Sequence, residues 1–249
     1  MAKFADFGSE AEHYAAGRRG YPDTVFYYLK TFVQEKDPIL DLGCGTGIAT
    51  RQLARHDFED IQGADQDERM LEEARENPQY KHILYFQSKA EELPFRRGQF
   101  KGITCFASFH WFTNEIAITE IKRVLKRNGI LFIVNKRDNP SLKGEIEAKV
   151  EAELNIKFPK IITVDEEIEF LKNHFELQPI RKFPGEDLYT LNEAVEYINS
   201  TSFWAAIPED KRQKILDKIV IPTLQGYLKW ERIARNYDAV CLAAIKKGI

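Results

Sequence analysis

The sequence has few cysteines, no long apolar run and no excess of charge of one sign. Three of the 249 residues are cysteine, an odd number that favours reduced, buried thiols over a disulfide framework. The longest apolar run, at residues 239–245, has seven residues, whereas a membrane-spanning helix needs about 20. The first ten residues lack the apolar centre of a signal peptide. We therefore expect a soluble, cytoplasmic protein that has no membrane partner.

The charge balance argues against a strongly basic nucleic-acid binder. Lys and Arg number 36 against 39 Asp and Glu, which gives a net charge of −3. Three basic pairs lie among acids, so a solvated surface explains them better than a nucleic-acid footprint. These pairs are Arg96-Arg97, Lys122-Arg123 and Lys126-Arg127. No group of Cys and His has the spacing of metal ligands, and we expect no metal site.

Strand-like and helix-like segments alternate over the first 135 residues. Short apolar segments typical of buried strands occur at residues 39–42, 61–64, 83–86, 103–106 and 130–134. Helical periodicity occurs between them, at residues 48–55, 68–76 and 114–125. Further strands are predicted at residues 175–183 and 237–245. This order predicts an α/β fold in three layers, doubly wound, with a seven-stranded, mostly parallel sheet.

The first predicted strand ends in a glycine cluster, Asp41-Leu42-Gly43-Cys44-Gly45-Thr46-Gly47. Glycines allow a tight turn and close approach of a ligand, and the following helix begins with free N–H groups. The pattern departs from the dinucleotide motif G-x-G-x-x-G because Ile48 stands at the third glycine position. Asp41 would repel a pyrophosphate and attract an ammonium group. A nucleoside that carries a cation, such as S-adenosylmethionine, therefore fits this turn.

The second predicted strand ends at Asp65, 18 residues after Gly47. A carboxylate there can accept two hydrogen bonds from a ribose diol. Gln66 and Met70 follow at positions that could cover an adenine ring. The alternative is that the glycines form only a strand–helix turn and that Asp65 caps the next helix. The combination of both features favours a cofactor site.

At these residues the sequence resembles the class I S-adenosylmethionine-dependent methyltransferases. Residues 41–47 resemble their first motif, and residues 63–71 resemble their second. Residues 90–95, 99–112 and 123–133 are similar to the adenine loop, the fourth strand and the approach to the fifth. The element Tyr14-x3-Arg18-x2-Tyr21-Pro22 is similar to one found in the subgroup that contains trans-aconitate methyltransferases. The resemblance covers roughly residues 10–135.

The resemblance implies S-adenosylmethionine as cofactor and S-adenosylhomocysteine as product. The residues predicted to bind the cofactor are Tyr14, Arg18, Asp41, Gly43, Cys44, Gly45, Asp65, Gln66, Met70, Ala90, Glu91 and Phe106. Lys89 stands where many members carry an aspartate that accepts a hydrogen bond from adenine. We therefore predict that this bond moves to Glu91 or to a backbone carbonyl. Lys101 and Arg19 are further departures from the family pattern.

We predict a single methyltransferase domain over residues 1–249. Residues 1–135 would form the cofactor-binding core with an N-terminal flap, and residues 136–249 the last strands and helical insertions that act as a lid. Arg18 would bind the cofactor carboxylate, or else pair with a surface acid such as Glu10 or Glu12. Four aromatic residues of the second half could line a pocket, although core packing is more common. These are Tyr197, Phe203, Trp204 and Trp230.

The predicted reaction is methylation of a small-molecule acceptor, with a carboxylate oxygen as the candidate atom. His110 is the candidate catalytic residue, as a base or an orienting donor, and the alternative is that it only shapes the pocket. We expect a monomer or a weak homodimer without nucleic acid. The alternatives are an RNA or protein methyltransferase, a module that binds S-adenosylmethionine without turnover, and a nicotinamide oxidoreductase.

Overall fold

The computed structural model describes residues 17–160 and 162–247. Tyr14, Glu10, Glu12 and most of the predicted flap lie outside the described residues. The strands are β1 (Ile39–Leu42), β2 (Ile61–Asp65), β3 (Leu84–Gln87), β4 (Phe100–Phe106), β5 (Leu125–Asp138), β6 (Glu176–Leu177), β7 (Arg181–Tyr189) and β8 (Ile233–Ile245). The helices are α1 (Asp23–Leu29), α2 (Ile48–Arg55), α3 (Glu68–Arg75), α4 (Glu115–Val124), α5 (Leu142–Leu154), α6 (Val164–Lys172), α7 (Leu191–Asn199), α8 (Ser202–Ala205), α9 (Glu209–Ile215) and α10 (Ile221–Gly226).

The strands form one mixed sheet in the order β3-β2-β1-β4-β5-β8-β6, and β7 also pairs with β8. Neighbouring strands from β3 to β5 are parallel, whereas β6 is antiparallel to β8. The α/β, mostly parallel prediction is therefore confirmed, with eight described strands instead of seven. The extra strand arises because residues 175–183 divide into β6 and the start of β7. Pro179 lies between them and has no N–H for a sheet hydrogen bond.

The central strands are apolar on both faces because helices cover the sheet on both sides. All four residues of β1 are buried, including Asp41. On α4, the residues at helical spacing, Ile118, Ile121 and Val124, are buried against the sheet strands. Burial of one such side chain contributes about 1.5–3 kcal/mol. These strands thus provide a rigid base for the turns at their ends.

The chain divides into two compact units, each built from separate stretches of sequence. We call the first the sheet unit; its described residues are 20–136, 162–183 and 239–247. The second, the helical unit, comprises described residues 17–19, 137–160 and 184–238. The boundary predicted after residue 135 lies one residue from the end of the first long stretch of the sheet unit. The predictions of a single domain, a flap and a lid stay predictions.

The helical unit has its own apolar core, formed by α5 and α7 to α10. Tyr197, Phe203 and Trp204 are buried in this core, whereas the Trp230 side chain is 97% exposed. A complete capping box begins α7, in which the Thr190 side chain accepts from the Glu193 amide and the Glu193 side chain accepts from the Thr190 amide. Along residues 17–160 and 162–247, no helix has both the length and the apolarity to cross a bilayer.

Candidate functional site

The glycine turn between β1 and α2 has a backbone that requires glycine. Gly43, Gly45 and Gly47 have φ values of +70°, +52° and +74°, in the left-handed region that other residues rarely adopt. A Cβ on Gly43 would lie 2.5 Å from the Cβ of Ser108. The amides of Gly43 and Cys44 both donate to the Ala64 carbonyl, at 2.7 and 3.1 Å, which ties the turn to β2. The turn is therefore a fixed cradle.

Asp65 ends β2 directly beside this cradle. Its Oδ2 accepts a hydrogen bond from the Gly45 amide at 2.8 Å, and its Oδ1 accepts one from the Asp67 amide at 3.0 Å. Burial raises the pKa of the Asp65 carboxyl, and these two amides oppose the rise. Each oxygen can accept a further hydrogen bond, as a ribose diol would require. The alternative capping role is wrong, because Asp67 caps α3 through the Arg69 amide.

Asp41 lies beneath the turn, fully buried among hydroxyl groups. Its Oδ2 accepts from Thr50 Oγ1 at 2.6 Å, and its Oδ1 accepts from Thr104 Oγ1 at 2.9 Å. Burial raises the Asp41 pKa to about 6, and the two hydroxyls oppose this rise. The carboxylate thus joins β1, α2 and β4 at the base of the turn. Its predicted attraction for a ligand ammonium stays a prediction.

The loop after β3, predicted to line the adenine, is held by α4. Ala90 is buried in it, and Glu91 Oε1 accepts from the side-chain amide of Asn114, the residue that caps α4, at 2.9 Å. Met70 is buried on α3, and the Gln66 carbonyl accepts from the side chain of Gln87 at 3.2 Å. These contacts place the loop next to the end of β2. The adenine roles of these residues stay predictions.

Three polar groups that sequence reasoning missed also surround the turn. The hydroxyl oxygens of Thr46, Tyr85 and Ser88 are buried and have no hydrogen-bond partner among the described residues. The Tyr85 hydroxyl lies 2.7 Å from where a Cβ on Gly47 would be, and the Ser88 amide donates to the Asp65 carbonyl at 2.9 Å. Buried polar groups are nearly always paired, so a set of unpaired ones suits a ligand site. Of these three residues, only Thr46 could have been identified from the sequence, because it lies within the glycine motif.

His110 follows β4 in a short 3-10 turn, Phe109–Trp111. Its ring is half-buried and lies 4.8 Å from the Trp111 ring. Phe106, the last residue of β4, is buried, and its ring lies 4.8 Å from that of Tyr21. Since β4 is parallel to β1, these residues lie at the same edge of the sheet as the glycine turn. The catalytic role of His110 stays a prediction.

Arg18 belongs to the helical unit, where its guanidinium contacts α7 and the residue after it. Its Nε donates to Ser200 Oγ and its Nη2 to the Ser200 carbonyl, both at 2.9 Å. The guanidinium also stacks 5.3 Å from the centre of the Tyr197 ring. Its predicted contact with the cofactor carboxylate stays a prediction.

Comparison with known proteins gives consistent results. Residues 40–133 match the family model described as a methyltransferase domain. An uncharacterized methyltransferase-like protein of Schizosaccharomyces pombe is 29% identical over 88% of each chain. The crystal structure of the YcgJ protein of Bacillus subtilis has a TM-score of 0.59 at 22% identity, over 92% of this chain and 100% of that one. Phosphoethanolamine N-methyltransferase 2 of Haemonchus contortus, in complex with S-adenosyl-L-methionine, has a TM-score of 0.59 at 17% identity, over 100% of this chain and 61% of that one.

The fold, the glycine turn with Asp65 and the family match define the class of protein. Residues 40–133 form a class I methyltransferase domain. The protein is an S-adenosylmethionine-dependent methyltransferase, so it is an enzyme with S-adenosylmethionine as cofactor and a methyl acceptor as partner.

Proposed function

We propose that the protein methylates a small-molecule acceptor, with a carboxylate oxygen as the acceptor atom. The observation that carries the proposal is the distribution of charge between the two edges of the sheet unit. Arg96, Arg97 and Lys126 line a surface pocket of about 510 Å³ together with Pro38 and Asp60. Pro38 and Asp60 directly precede β1 and β2, so this basic pocket lies at the amino edge, opposite the glycine turn.

An RNA methyltransferase needs basic side chains beside the reacting groups, since phosphate contacts dominate nucleic-acid affinity. Two arginines near the glycine turn instead hold the protein's own groups. Arg51 donates to the Thr46 carbonyl at 2.8 Å, and Arg75 pairs with Glu68 at 2.5 Å. The charges of the described residues thus favour a small molecule over a nucleic acid.

The residues fit S-adenosylmethionine by the shape and chemistry of the cradle. Asp65 would bind the ribose, Gly45 would allow close approach, and the unpaired hydroxyls would gain partners. When bound, the cofactor supplies an activated methyl group. Phe106 and Tyr21 would exclude water at the edge of the sheet, which favours a poorly solvated nucleophile. A carboxylate acceptor arrives deprotonated, so His110 would orient it rather than remove a proton.

A turnover screen tests the proposal. The protein is incubated with S-adenosylmethionine and panels of small carboxylic acids, phenols, amines and transfer RNA, and S-adenosylhomocysteine is measured by mass spectrometry. We expect product with carboxylic acids and none with RNA, and Asp65→Ala serves as the control that lacks the ribose contact. Methylation of the transfer RNA alone would overturn the proposal. So would binding of S-adenosylhomocysteine without turnover on any panel.

Three finer predictions accompany this proposal. They are membership of the subgroup that contains trans-aconitate methyltransferases, a monomer or weak homodimer, and a cytoplasmic location. The carboxylic acid panel tests the subgroup. Sedimentation analysis tests the oligomeric state, and cell fractionation tests the location.

A further inference from the structure

The basic pocket at the amino edge of the sheet unit contains three cations that have no acid partner. Arg96, Arg97 and Lys126 line this pocket of about 510 Å³, and in the described part of the chain their side chains form no ion pair and no hydrogen bond. Arg123, from the same set of basic pairs in the sequence, does have an acid, because its Nε pairs with Glu120 Oε1 at 2.7 Å. The three charges of the pocket are therefore available to a ligand.

The loop that carries the two arginines of the pocket is held in place by Arg123. The Arg123 guanidinium donates to the Phe95 carbonyl at 2.6 Å and to the Leu93 carbonyl at 2.9 Å. Its backbone carbonyl accepts from the Gly98 amide at 2.9 Å. Gly98 has a φ of +65°, so glycine suits the turn that the loop makes there. The loop is therefore ordered before a ligand binds, which lowers the entropic cost of binding.

The pocket is also lined by an acid, Asp60, and by the amide side chain of Gln62. Among the described residues Asp60 forms no ion pair with any of the three cations, so its carboxylate lies beyond ion-pair distance of them. The Asp60 carbonyl accepts from the Ile39 amide at 2.8 Å, and the Pro38 carbonyl accepts from the Lys101 amide at 2.9 Å. The pocket thus offers cationic donors and a separate carboxylate acceptor, all next to backbone that the sheet holds.

Lys246, near Arg97, adds to the positive charge of this edge. Its Nζ donates to the carbonyls of Lys122 and Leu125, at 2.5 and 2.7 Å, and no carboxylate of the described chain pairs with it. Burial lowers the pKa of its ammonium group, and the positive charges of Arg97 and Lys122 act in the same direction. An anion bound beside Arg97 would reduce this repulsion.

The chemistry of the pocket suits a phosphate group better than a single carboxylate. An arginine presents a planar fork of donors that matches phosphate oxygens, and such charge-assisted hydrogen bonds are strong. A phosphate group carries up to about two negative charges near neutral pH, which is closer to the charge of three cations than a carboxylate is. The pocket volume also lies within the range of small-molecule sites, roughly 300–1,000 Å³.

We propose that this pocket binds a phosphorylated small molecule that also carries hydroxyl groups. Arg96, Arg97 and Lys126 would bind the phosphate, and Asp60 would accept a hydrogen bond from a hydroxyl. The pocket lies at the edge of the sheet opposite to the glycine turn, so this molecule would be a second ligand and not the methyl acceptor. The site therefore goes beyond the proposed function.

Calorimetry with glycerol 3-phosphate as the probe tests the proposal. The whole chain is used with saturating S-adenosylhomocysteine, so that the probe cannot enter the cofactor site. Glycerol and inorganic phosphate are the control ligands, because each has only one of the two features of the probe. We expect glycerol 3-phosphate to bind, inorganic phosphate to bind about tenfold more weakly, and glycerol not to bind.

Arg97→Met tests the phosphate contact, and Arg127→Met is the matched control, since Arg127 is an exposed arginine of the same edge that does not line the pocket. We expect about tenfold weaker binding of glycerol 3-phosphate in Arg97→Met and a change of less than about twofold in Arg127→Met. Asp60→Ala should weaken glycerol 3-phosphate without weakening inorganic phosphate. All three residues are exposed, so each variant should melt within about 2 °C of the wild type.

Three results would overturn the proposal. The first is that glycerol 3-phosphate does not bind, and the second is that glycerol or inorganic phosphate binds as tightly. The third is that Arg97→Met and Arg127→Met lose affinity equally, because the attraction would then come from the general charge of the surface. Transfer RNA is added as a further ligand. If it binds in a way that Arg97→Met weakens while glycerol 3-phosphate does not bind, the pocket is part of a nucleic-acid surface and the proposal is wrong.

Discussion

The side-chain amide of Gln52 holds the backbone of Tyr21 at both of its polar groups. The Tyr21 amide donates to Gln52 Oε1 at 2.8 Å, and Gln52 Nε2 donates to the Tyr21 carbonyl at 2.9 Å. A Cβ on Gly20 would collide with the same amide. The side-chain amide of Gln52, on α2, thus pairs with the Tyr21 backbone as a neighbouring strand would. It fixes the segment that brings the Tyr21 ring against Phe106.

We expect Gln52→Leu to release this segment. Two hydrogen bonds are lost while the volume of the side chain is kept, so the unfolding free energy should fall by about 1–2 kcal/mol. Hydrogen exchange at the Tyr21 amide should rise about tenfold, which mass spectrometry can measure. Gln79→Leu, at an exposed position, is the control. Unchanged exchange at Tyr21 would show that other contacts hold the segment.

We expect Asp65→Ala to weaken S-adenosylhomocysteine by about 2–4 kcal/mol, because hydrogen bonds to a carboxylate contribute about 1.5–3 kcal/mol each and do not add fully. Lys89→Ala should change the affinity little, since Lys89 is exposed after β3. Calorimetry on both variants measures the difference. Similar losses in the two variants would contradict the ribose role of Asp65.

Alanine variants of two glycines with similar φ values can distinguish the effect of backbone strain from the effect of a steric clash. Gly43 has φ +70° with Ser108 in the way of a Cβ, whereas Gly98 has φ +65° with open space around it. Both alanine variants should lose about 1–2 kcal/mol of stability from the left-handed backbone. Only Gly43→Ala should also lose affinity for S-adenosylhomocysteine, and Ser108→Gly in the same chain should restore part of it. Equal affinity in Gly43→Ala and wild type would show that the turn tolerates movement.

The raised pKa of Asp41 gives a defined pH dependence. Its carboxyl titrates at about 6 in the folded protein and at 3.8 normally, so the folded state holds the proton more tightly. The unfolding free energy should therefore fall by about 2 kcal/mol as the pH rises from 4 to 6, and become level above about pH 7. Asp41→Asn should lack this fall.

Urea unfolding at pH 4, 5, 6 and 7 measures the effect. The quantity compared is the difference between wild type and Asp41→Asn, since carboxyls that do not interact with Asp41 titrate equally in both. A difference that does not change between pH 4 and 6 would mean that Asp41 titrates normally.

The sequence predicted the sheet unit well because its signals are local. The bounds of β1 and α2 match the predictions at 39–42 and 48–55, since a buried parallel strand is apolar throughout and glycines mark its end. The capping boxes that begin α6 (Thr163 with Glu166) and α7 (Thr190 with Glu193) are equally local, because each needs residues only three apart. The position of Asp65 at the end of β2 could be predicted because the sequence shows where the apolar segment of this strand ends.

Features that depend on distant residues could not be predicted. The hydroxyls of Thr50 and Thr104 that surround Asp41 come from two other elements, and Thr104 is 63 residues away. The prediction of one strand over residues 175–183 was wrong for another reason. Apolar alternation continues across Pro179 in the sequence, whereas the structure has one strand before this residue and another after it.

The position of β8 has a consequence for synthesis of the protein. This strand lies between β5 and β6, and the residue after it is held by three hydrogen bonds to the chain around α4 and β5. Most of the sheet unit leaves the ribosome long before β8 does. Until then β5 has an unpaired edge that can join another chain. We therefore expect the nascent protein to depend on chaperones late in translation, and truncation before residue 233 to give aggregates.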